Sequence, residues 1–328
     1  MATQSDGERI LIVGAGMAGL TMARTLTDAD ARVTVAEKGR TIGGRMASRE
    51  TQWGTFDHGT QYVTGKSGAF RALLTGLSHD GTVEFWKPTG RDSNLEWHVG
   101  VPAMNRMLTP MLGGFDLQQS TTVERIVRDG EALRVALRAH GEDEASTEMF
   151  DRVLVTAPAP QAHRLLEGLD DAFDGIADAS LAPCWTLMLA FRRRIECTHE
   201  FHRAEPGDPG PLAWVARNSS KPQRNGEPDL WIANASPRWS EKNLEREKDD
   251  VIAPLLDAFR EITGDRTDPV HAAAHRWRYS LVEKPVGEPF LLSDDGRIGA
   301  AGDWCLAGRV EAAFESGRQL AAAVKGRI

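Results

Sequence analysis

The sequence is short of cysteine and tyrosine, has no excess of basic charge and contains no long apolar run. Its three cysteines, Cys184, Cys197 and Cys305, are scattered, forming neither a CxxC pair nor a disulfide ladder, so a reducing, cytoplasmic setting is expected. No stretch approaches the roughly 20 apolar residues that a membrane-spanning helix needs. The polar opening segment, residues 1–9, lacks the apolar core of an export signal, so export is not expected. The 39 Lys and Arg against 47 Asp and Glu leave a net charge of −8, which gives no electrostatic reason to expect nucleic acid or an anionic membrane as partner. No internal repeat or low-complexity tract is seen, and no metal site is expected. What remains is an ordinary globular composition, 41% hydrophobic and 26% charged, on 328 residues, long enough for two domains.

The N-terminal region carries the first chemistry. Ile10-Leu11-Ile12-Val13 reads as a strand buried on both faces, and it runs directly into the GxGxxG loop Gly14-Ala15-Gly16-Met17-Ala18-Gly19. Residues 20–26 then read as a helix and residues 32–36 as a second strand. Gly14 permits a tight turn, Gly16 lets a pyrophosphate approach the backbone, and Gly19 allows close helix–strand packing. The helix N-terminus offers N–H groups and a positive dipole end to the phosphates. Glu37 ends the second strand where an acid binds a ribose hydroxyl pair; the same carboxylate would repel a ribose 2′-phosphate. Strand, loop, helix, strand and acid in order predict a dinucleotide-binding Rossmann unit.

Lys38-Gly39-Arg40-Thr41-Ile42-Gly43-Gly44-Arg45-Met46 adds a second glycine pair, where backbone can pass close to a cofactor, and an arginine able to pair with pyrophosphate oxygens. This stretch resembles the GGR segment of the flavin amine oxidase superfamily, and Phe56-Asp57-His58-Gly59-Thr60-Gln61-Tyr62-Val63 resembles that group's segment beside the flavin ring. Thr60 and Val63 stand where the family more often has Ala and Phe. At the other end, residues 297–303 read as a strand ending in Gly302-Asp303, followed by an amphipathic helix over 309–324. With Ala157-Pro158-Ala159-Pro160-Gln161, His275-Arg276-Trp277-Arg278-Tyr279-Ser280 and Gly302-Asp303-Trp304-Cys305, the chain resembles the renalase-like branch of that superfamily over nearly its whole length.

The resemblance implies an α/β fold: a Rossmann-type FAD-binding domain (residues 1–65, 98–160 and 290–328) and a mixed-sheet α+β substrate domain (66–97 and 161–289). It implies non-covalent FAD held by Gly14, Ala15, Gly16, Met17, Ala18, Gly19, Glu37, Lys38, Gly44, Arg45, Met46, Gly59, Thr60, Gln61, Tyr62, Val123, Ala157, Trp277, Gly302, Asp303, Arg309, Val310 and Ala313. Asp303 would hold a ribityl hydroxyl, and the helix that follows would face the pyrimidine end of the flavin, where reduction builds negative charge. Read alone, Asp303 is equally a helix-capping turn residue.

The implied reaction is oxidation of dihydronicotinamide isomers of NAD(P), with hydride passing to the flavin and oxygen reduced to hydrogen peroxide. Two alternatives are an amine oxidase or dehydrogenase and a flavin-binding sensor without turnover. Two tyrosines, Tyr62 and Tyr279, supply a tyrosine pair around an amine poorly, although tryptophan could substitute.

Tyr62, Trp185, Trp214 and His275 are the substrate-side candidates, with Trp231 and Trp277 as further possible walls. His275 either orients substrate, as the candidate catalytic residue, or is a hydrogen-bonded structural histidine. Arg276 and Arg278 either meet substrate phosphates or are solvated. Met104, Met107, Leu108 and Met111 share a helical spacing over 102–112 that reads as core. Short strands are expected at 115–118, 122–128, 133–138 and 152–156, a loop over 203–228, and one charged helix over 239–261 with a solvated face.

Overall fold

A computed structural model describes residues 7–29, 31–89, 96–224, 226 and 228–327. The polar segment 1–6 and residues 90–95, the latter within the expected substrate domain, lie outside the described residues. The chain divides into two compact units. One holds the described residues of Met1–Gly44, Leu108–Leu181 and Val282–Ile328; the other holds those of Arg45–Met107 and Ala182–Leu281. This partition departs from the expected domain limits chiefly in grouping residues 45–65 and 98–107 with the second unit and 161–181 with the first.

In the first unit, β1 (Arg9–Val13), α1 (Met17–Thr27) and β2 (Arg32–Glu37) form the expected βαβ unit. β1 is one of the two central strands of a six-stranded sheet whose order is Leu291–Leu292, Ile298–Ala300, Arg152–Val155, β1, β2, Asp116–Gln119. All pairs are parallel except the edge pair Leu291–Leu292 with Ile298–Ala300. Such a sheet is covered on both faces, which is why Ile10, Leu11 and Ile12 are all fully buried. The strand at 152–156 is the expected return into the sheet, pairing Ile12 with Leu154. A three-stranded antiparallel sheet (Thr121–Asp129, Ala132–Ala139, Ser146–Phe150) packs its apolar face on the same core, with Leu133, Val135, Leu137 and Phe150 against Leu11, Val153 and Val155. The C-terminal helix, Val310–Lys325, lies so close to α1 that a Cβ on Gly317 would stand 2.5 Å from the Ala18 carbonyl oxygen.

The second unit is built on a five-stranded sheet in the order Phe201–Arg203, Leu212–Arg217, Asp229–Ala235, Ser180–Phe191, His271–Lys284. Trp185, Leu187, Leu189 and Trp231 pack from it against Leu255 and Phe259 of the helix Ile252–Thr263. The methionine spacing forms a 3₁₀ segment, Met104–Met111, with Met104 and Met107 fully buried, as core.

Two expectations are corrected here. Residues 203–228 are not all loop, because Leu212–Arg217 is a buried strand whose apolar run was hidden among prolines and glycines. Residues 239–261 are not one helix. A short helix, Pro237–Lys242, is capped by Ser236 and closes at Asn243, whose side-chain amide returns to the Trp239 carbonyl at 2.8 Å. Helix resumes with a 3₁₀ turn at Asp249–Val251, which leads into the α-helix from Ile252. Between them Glu245 turns away to bind Arg278, so the charge pattern serves an ion pair to the sheet rather than a helix face.

Candidate functional site

Three neighbouring parallel strands of the first unit end at one edge of the sheet, and each delivers candidate residues there. β1 leads into Gly14–Gly19, the strand Arg152–Val155 into Thr156 and Ala157, and the strand Ile298–Ala300 into Ala301, Gly302 and Asp303. Backbone hydrogen bonds continue the ladder past the strand ends, from Thr156 N to Val13 O (2.8 Å) and from Ala301 N to Val155 O (3.0 Å). The two ends of the sequence are thus brought together at the carboxyl edge of the sheet, where open α/β folds bind ligands.

The glycines of the loop are not equivalent. Gly14 has φ +107°, and a Cβ there would lie 2.7 Å from Thr156 Oγ1; at Gly19 it would lie 2.0 Å from the Gly14 carbonyl oxygen. Both are glycine because the protein itself fills the space. At Gly16 nothing stands nearer than the Gly43 carbonyl oxygen at 4.0 Å, and at Gly44 (φ +52°) nothing nearer than the Gly16 Cα at 4.0 Å. The protein therefore gives no steric reason for glycine at Gly16, and a Cβ at either position would make no more than an ordinary van der Waals contact. Gly16 is also the N-cap of α1 and offers no side-chain acceptor, and the first turn (Met17, Ala18, Gly19) carries no acid. A positive helix end with no acid in its first turn and no side-chain cap is what a pyrophosphate requires, so these residues fit the phosphates of a dinucleotide.

Around that opening the other candidates of the first unit are engaged as follows. Glu37 is buried, and its two carboxylate oxygens accept from Ala15 N (2.8 Å) and Gly39 N (2.6 Å), tying the loop to the end of β2. Lys38 donates to Gln161 Oε1 at 2.8 Å, and burial draws its pKa down despite Glu37 beside it. Val123 is buried in the antiparallel sheet, and the Ala157 carbonyl accepts from Trp304 Nε1 at 3.0 Å. Gly302 N donates to Ser316 Oγ at 2.9 Å, which docks the Gly-Asp turn on the C-terminal helix and leaves Asp303, itself buried, at the start of a short helix. Arg309 occupies the N-cap position of the C-terminal helix without a side-chain capping bond, its side chain half exposed, and Val310 and Ala313 lie in that helix's first turn. Burial pushes the Cys305 thiol up to about 12, which keeps it protonated and unreactive.

In the second unit, Arg45 and Met46 open the segment, with Met46 buried and Arg45 Nη1 on the Ser280 carbonyl at 3.2 Å. The Arg45 carbonyl receives Thr60 N at 2.8 Å, and a Cβ on Gly59 would stand 2.1 Å from it, so Gly59 is glycine to let this docking occur. Gln61 turns inward: its amide nitrogen donates to the Asp57 carbonyl (2.5 Å) and its oxygen accepts from Lys221 Nζ (3.3 Å).

That contact belongs to a buried ionic cluster that the sequence did not reveal. Asp57 Oδ2 receives Lys221 Nζ at 3.0 Å and Arg224 Nη2 at 2.7 Å, and Oδ1 receives Ser48 Oγ (2.8 Å) and Met104 N (2.9 Å). Asp57 and Lys221 are fully buried. Burial alone would raise the Asp57 pKa, but the two cations outweigh it and hold the carboxyl ionised; the Lys221 ammonium is drawn down by its burial. The one available signal was Asn218-Ser219-Ser220-Lys221, a polar run directly after an apolar strand.

His58, His275 and Trp277 form an aromatic triangle with ring centroids 4.5–5.0 Å apart, and Trp277 Nε1 donates to the His58 carbonyl at 2.9 Å. Burial, assisted by Arg49, lowers His58 to about 4; burial, then His58 and Arg49, lowers His275 to about 3. Both imidazoles are neutral at pH 7. A second group joins Tyr62, Trp97 and Trp214. Trp185 is corrected from pocket wall to core: it is fully buried, with its indole N–H on the Asn243 carbonyl at 3.0 Å. Trp231 is core as well. Of the two alternatives for Arg276 and Arg278, the solvated one describes Arg278, which is exposed and grips both oxygens of Glu245 at 2.6 and 3.0 Å, while Arg276 reaches the Leu244 carbonyl at 2.7 Å. Among the described residues no group of three or more His, Cys, Asp or Glu is arranged to hold a metal, and no helix is long and apolar enough to cross a membrane.

Comparison with known proteins matches residues 12–77 to the NAD(P)-binding Rossmann-like domain and residues 84–325 to the flavin containing amine oxidoreductase family. The chain is 24% identical to mouse (Mus musculus) renalase over 322 residues, 85% of this chain and 87% of that protein. Among solved structures, a provisionally named protoporphyrinogen oxidase from Exiguobacterium sp. 255-15 superimposes with a TM-score of 0.77 at 13% identity, covering 98% of this chain and 99% of the other. Putrescine oxidase bound to putrescine superimposes with a TM-score of 0.69, also at 13% identity and with the same coverage.

Proposed function

Because the chain belongs to the flavin containing amine oxidoreductase family, we propose that it is a non-covalent FAD enzyme that oxidises dihydronicotinamide isomers of NAD(P), those reduced at ring carbons other than C4. The observation that carries the cofactor half is the open glycine pair, Gly16 and Gly44, at the acid-free N-terminus of α1. When bound, FAD would supply the hydride acceptor and pass the electrons to oxygen, giving hydrogen peroxide.

The chain's own residues bind and position. Gly14–Gly19 and α1 receive the pyrophosphate, Glu37 the adenosine ribose, and Asp303 a ribityl hydroxyl. Val123, Ala157, Arg309, Val310 and Ala313 complete the cofactor's surroundings within the first unit. The Cys305 thiol, held protonated, supports a non-covalent attachment. His275 and His58, neutral at pH 7, can line a pocket for a flat neutral ring without placing charge beside it, so the reading needs no general base. The substrate half rests on the renalase-like resemblance and on the presence of a single dinucleotide fingerprint, which leaves a nicotinamide to enter as substrate.

Anaerobic mixing of the yellow protein with isomeric dihydronicotinamides, ordinary NADH and a panel of amines tests this, with flavin absorbance as the readout. Rapid bleaching by the isomers alone is expected. Bleaching by amines alone would replace the reading with an amine oxidase, and no bleaching by any of them with a flavin-binding sensor.

A further inference from the structure

Phe201–Arg203 is an edge strand of the second unit's sheet, and its pairing sets Arg203 opposite Trp214. The isolated bridge between Val63 and His98 brings Tyr62 against Trp97, their rings stacked 4.1 Å apart and 11° from parallel. The Arg203 guanidinium carbon lies 5.3 Å from the Trp214 ring centroid, 5.9 Å from that of Trp97 and 6.0 Å from that of Tyr62. It also donates to the Tyr62 hydroxyl. Three aromatic faces thus hold one exposed arginine in place, through the attraction of a cation to their π-systems.

Two features distinguish this arginine. In the same unit Arg194, Arg217, Arg224 and Arg278 each reach a carboxylate, of Glu200, Asp229, Asp57 and Glu245 respectively. Arg203 has no carboxylate partner among the described residues. The second is Trp214, which is 8% exposed and whose indole N–H has no acceptor among the described residues. Among the described residues the guanidinium meets the neutral Tyr62 hydroxyl but no anion, and the buried indole N–H of the neighbouring Trp214 has no acceptor; the cost of leaving that N–H unpaired is removed by a ligand oxygen. An aromatic box of this kind would attract an ammonium group, but here a permanent cation of the protein already fills it. A positively charged amine is therefore repelled, and an oxyanion is drawn in.

We infer that Arg203, held by Tyr62, Trp97 and Trp214, forms an anion subsite that receives a phosphate of the substrate. The inference deepens the dihydronicotinamide reading and rests on it for the identity of the phosphate carrier; a planar guanidinium suits phosphate because two of its N–H groups can meet two oxygens at once.

The test uses ADP-ribose, which carries the pyrophosphate but no reducible ring, with adenosine as the uncharged control. Calorimetric titration of the flavin-loaded protein is compared with Arg203→Ala and Arg203→Lys. ADP-ribose binding is expected to weaken about tenfold or more in Arg203→Ala and to recover in part in Arg203→Lys, with adenosine unaffected. Unaltered ADP-ribose affinity in Arg203→Ala, an equal loss for adenosine, or no binding of ADP-ribose to the wild-type protein would overturn the subsite. Those results would leave the dihydronicotinamide reading standing if the isomers still bleach the flavin. Failure to bleach, with ADP-ribose binding dependent on Arg203, would remove that reading and keep the subsite.

Discussion

Gly16 and Gly19 share one loop but would respond differently to a methyl group. At Gly19 the new Cβ meets the Gly14 carbonyl oxygen at 2.0 Å, so Gly19→Ala must displace backbone and should destabilise the flavin-free protein by about 1–3 kcal/mol. At Gly16 the methyl meets no more than an ordinary contact, the Gly43 carbonyl oxygen at 4.0 Å, and the backbone is extended (φ −85°), so Gly16→Ala should fold normally and instead lose flavin. Thermal melts of flavin-free protein, set beside flavin retained after gel filtration, separate the two; equal melting losses would refute the distinction. The histidine pair makes a second prediction at this scale. His58 and His275 fall from the ordinary 6.5 to about 4 and about 3 in the folded protein, so between those values and 6.5 the unfolded chain binds more protons. The contribution is whole above pH 6.5, shrinks as pH falls from 6.5 toward the folded values, and is lost below them. Denaturant titrations from pH 7 to 4 should show a loss on the order of a few kcal/mol. His275→Phe should flatten part of that slope, and an unaltered slope would count against the buried neutral pair.

At the scale of elements, the crossing of α1 and the C-terminal helix is a close packing constraint in the first unit. Gly317→Ala sets a Cβ 2.5 Å from the Ala18 carbonyl oxygen and 2.9 Å from its Cα, forcing the helices apart at a cost of about 1–3 kcal/mol. The expected result is a lower melting temperature and weaker flavin retention together, because α1 also presents the Gly16 cradle; a melting temperature equal to wild type would show that the crossing yields freely. The elements also mark where the sequence was readable. β1, α1 and β2 were legible because each carries its own period and the glycines sit between them in register. The strand from 152 was legible as a short apolar run before Ala157-Pro158. The second unit was much less so. Leu212–Arg217 lay hidden among prolines, and the helix read over 239–261 breaks where Glu245 answers Arg278 on a distant strand. The Asp57–Lys221 contact spans 164 residues, and neither partner lies on a periodic stretch. Charge pairs of that kind depend on the finished fold, so local patterns carry no trace of them.

For the whole molecule, the chain passes between its two units after Gly44, Met107, Leu181 and Leu281, yet each unit has its own buried core. Ligand linkage can therefore ask which unit carries the cofactor's phosphates. A ligand that binds only the folded state stabilises it by about 2.7 kcal/mol at a hundredfold excess over its Kd. Two variants identify the units in a melt. Gly317→Ala weakens the first, while Asp57→Asn weakens the second by removing the single carboxylate shared by Lys221 and Arg224, a loss of about 3–5 kcal/mol for a buried pair. Added FAD should raise the transition that Gly317→Ala lowers, whether the protein melts in one step or two, and Gly16→Ala should abolish that rise. Calorimetry in which FAD moves only a separate transition lowered by Asp57→Asn would put the pyrophosphate elsewhere. In that case the open glycine pair would be a feature of the fold without a ligand.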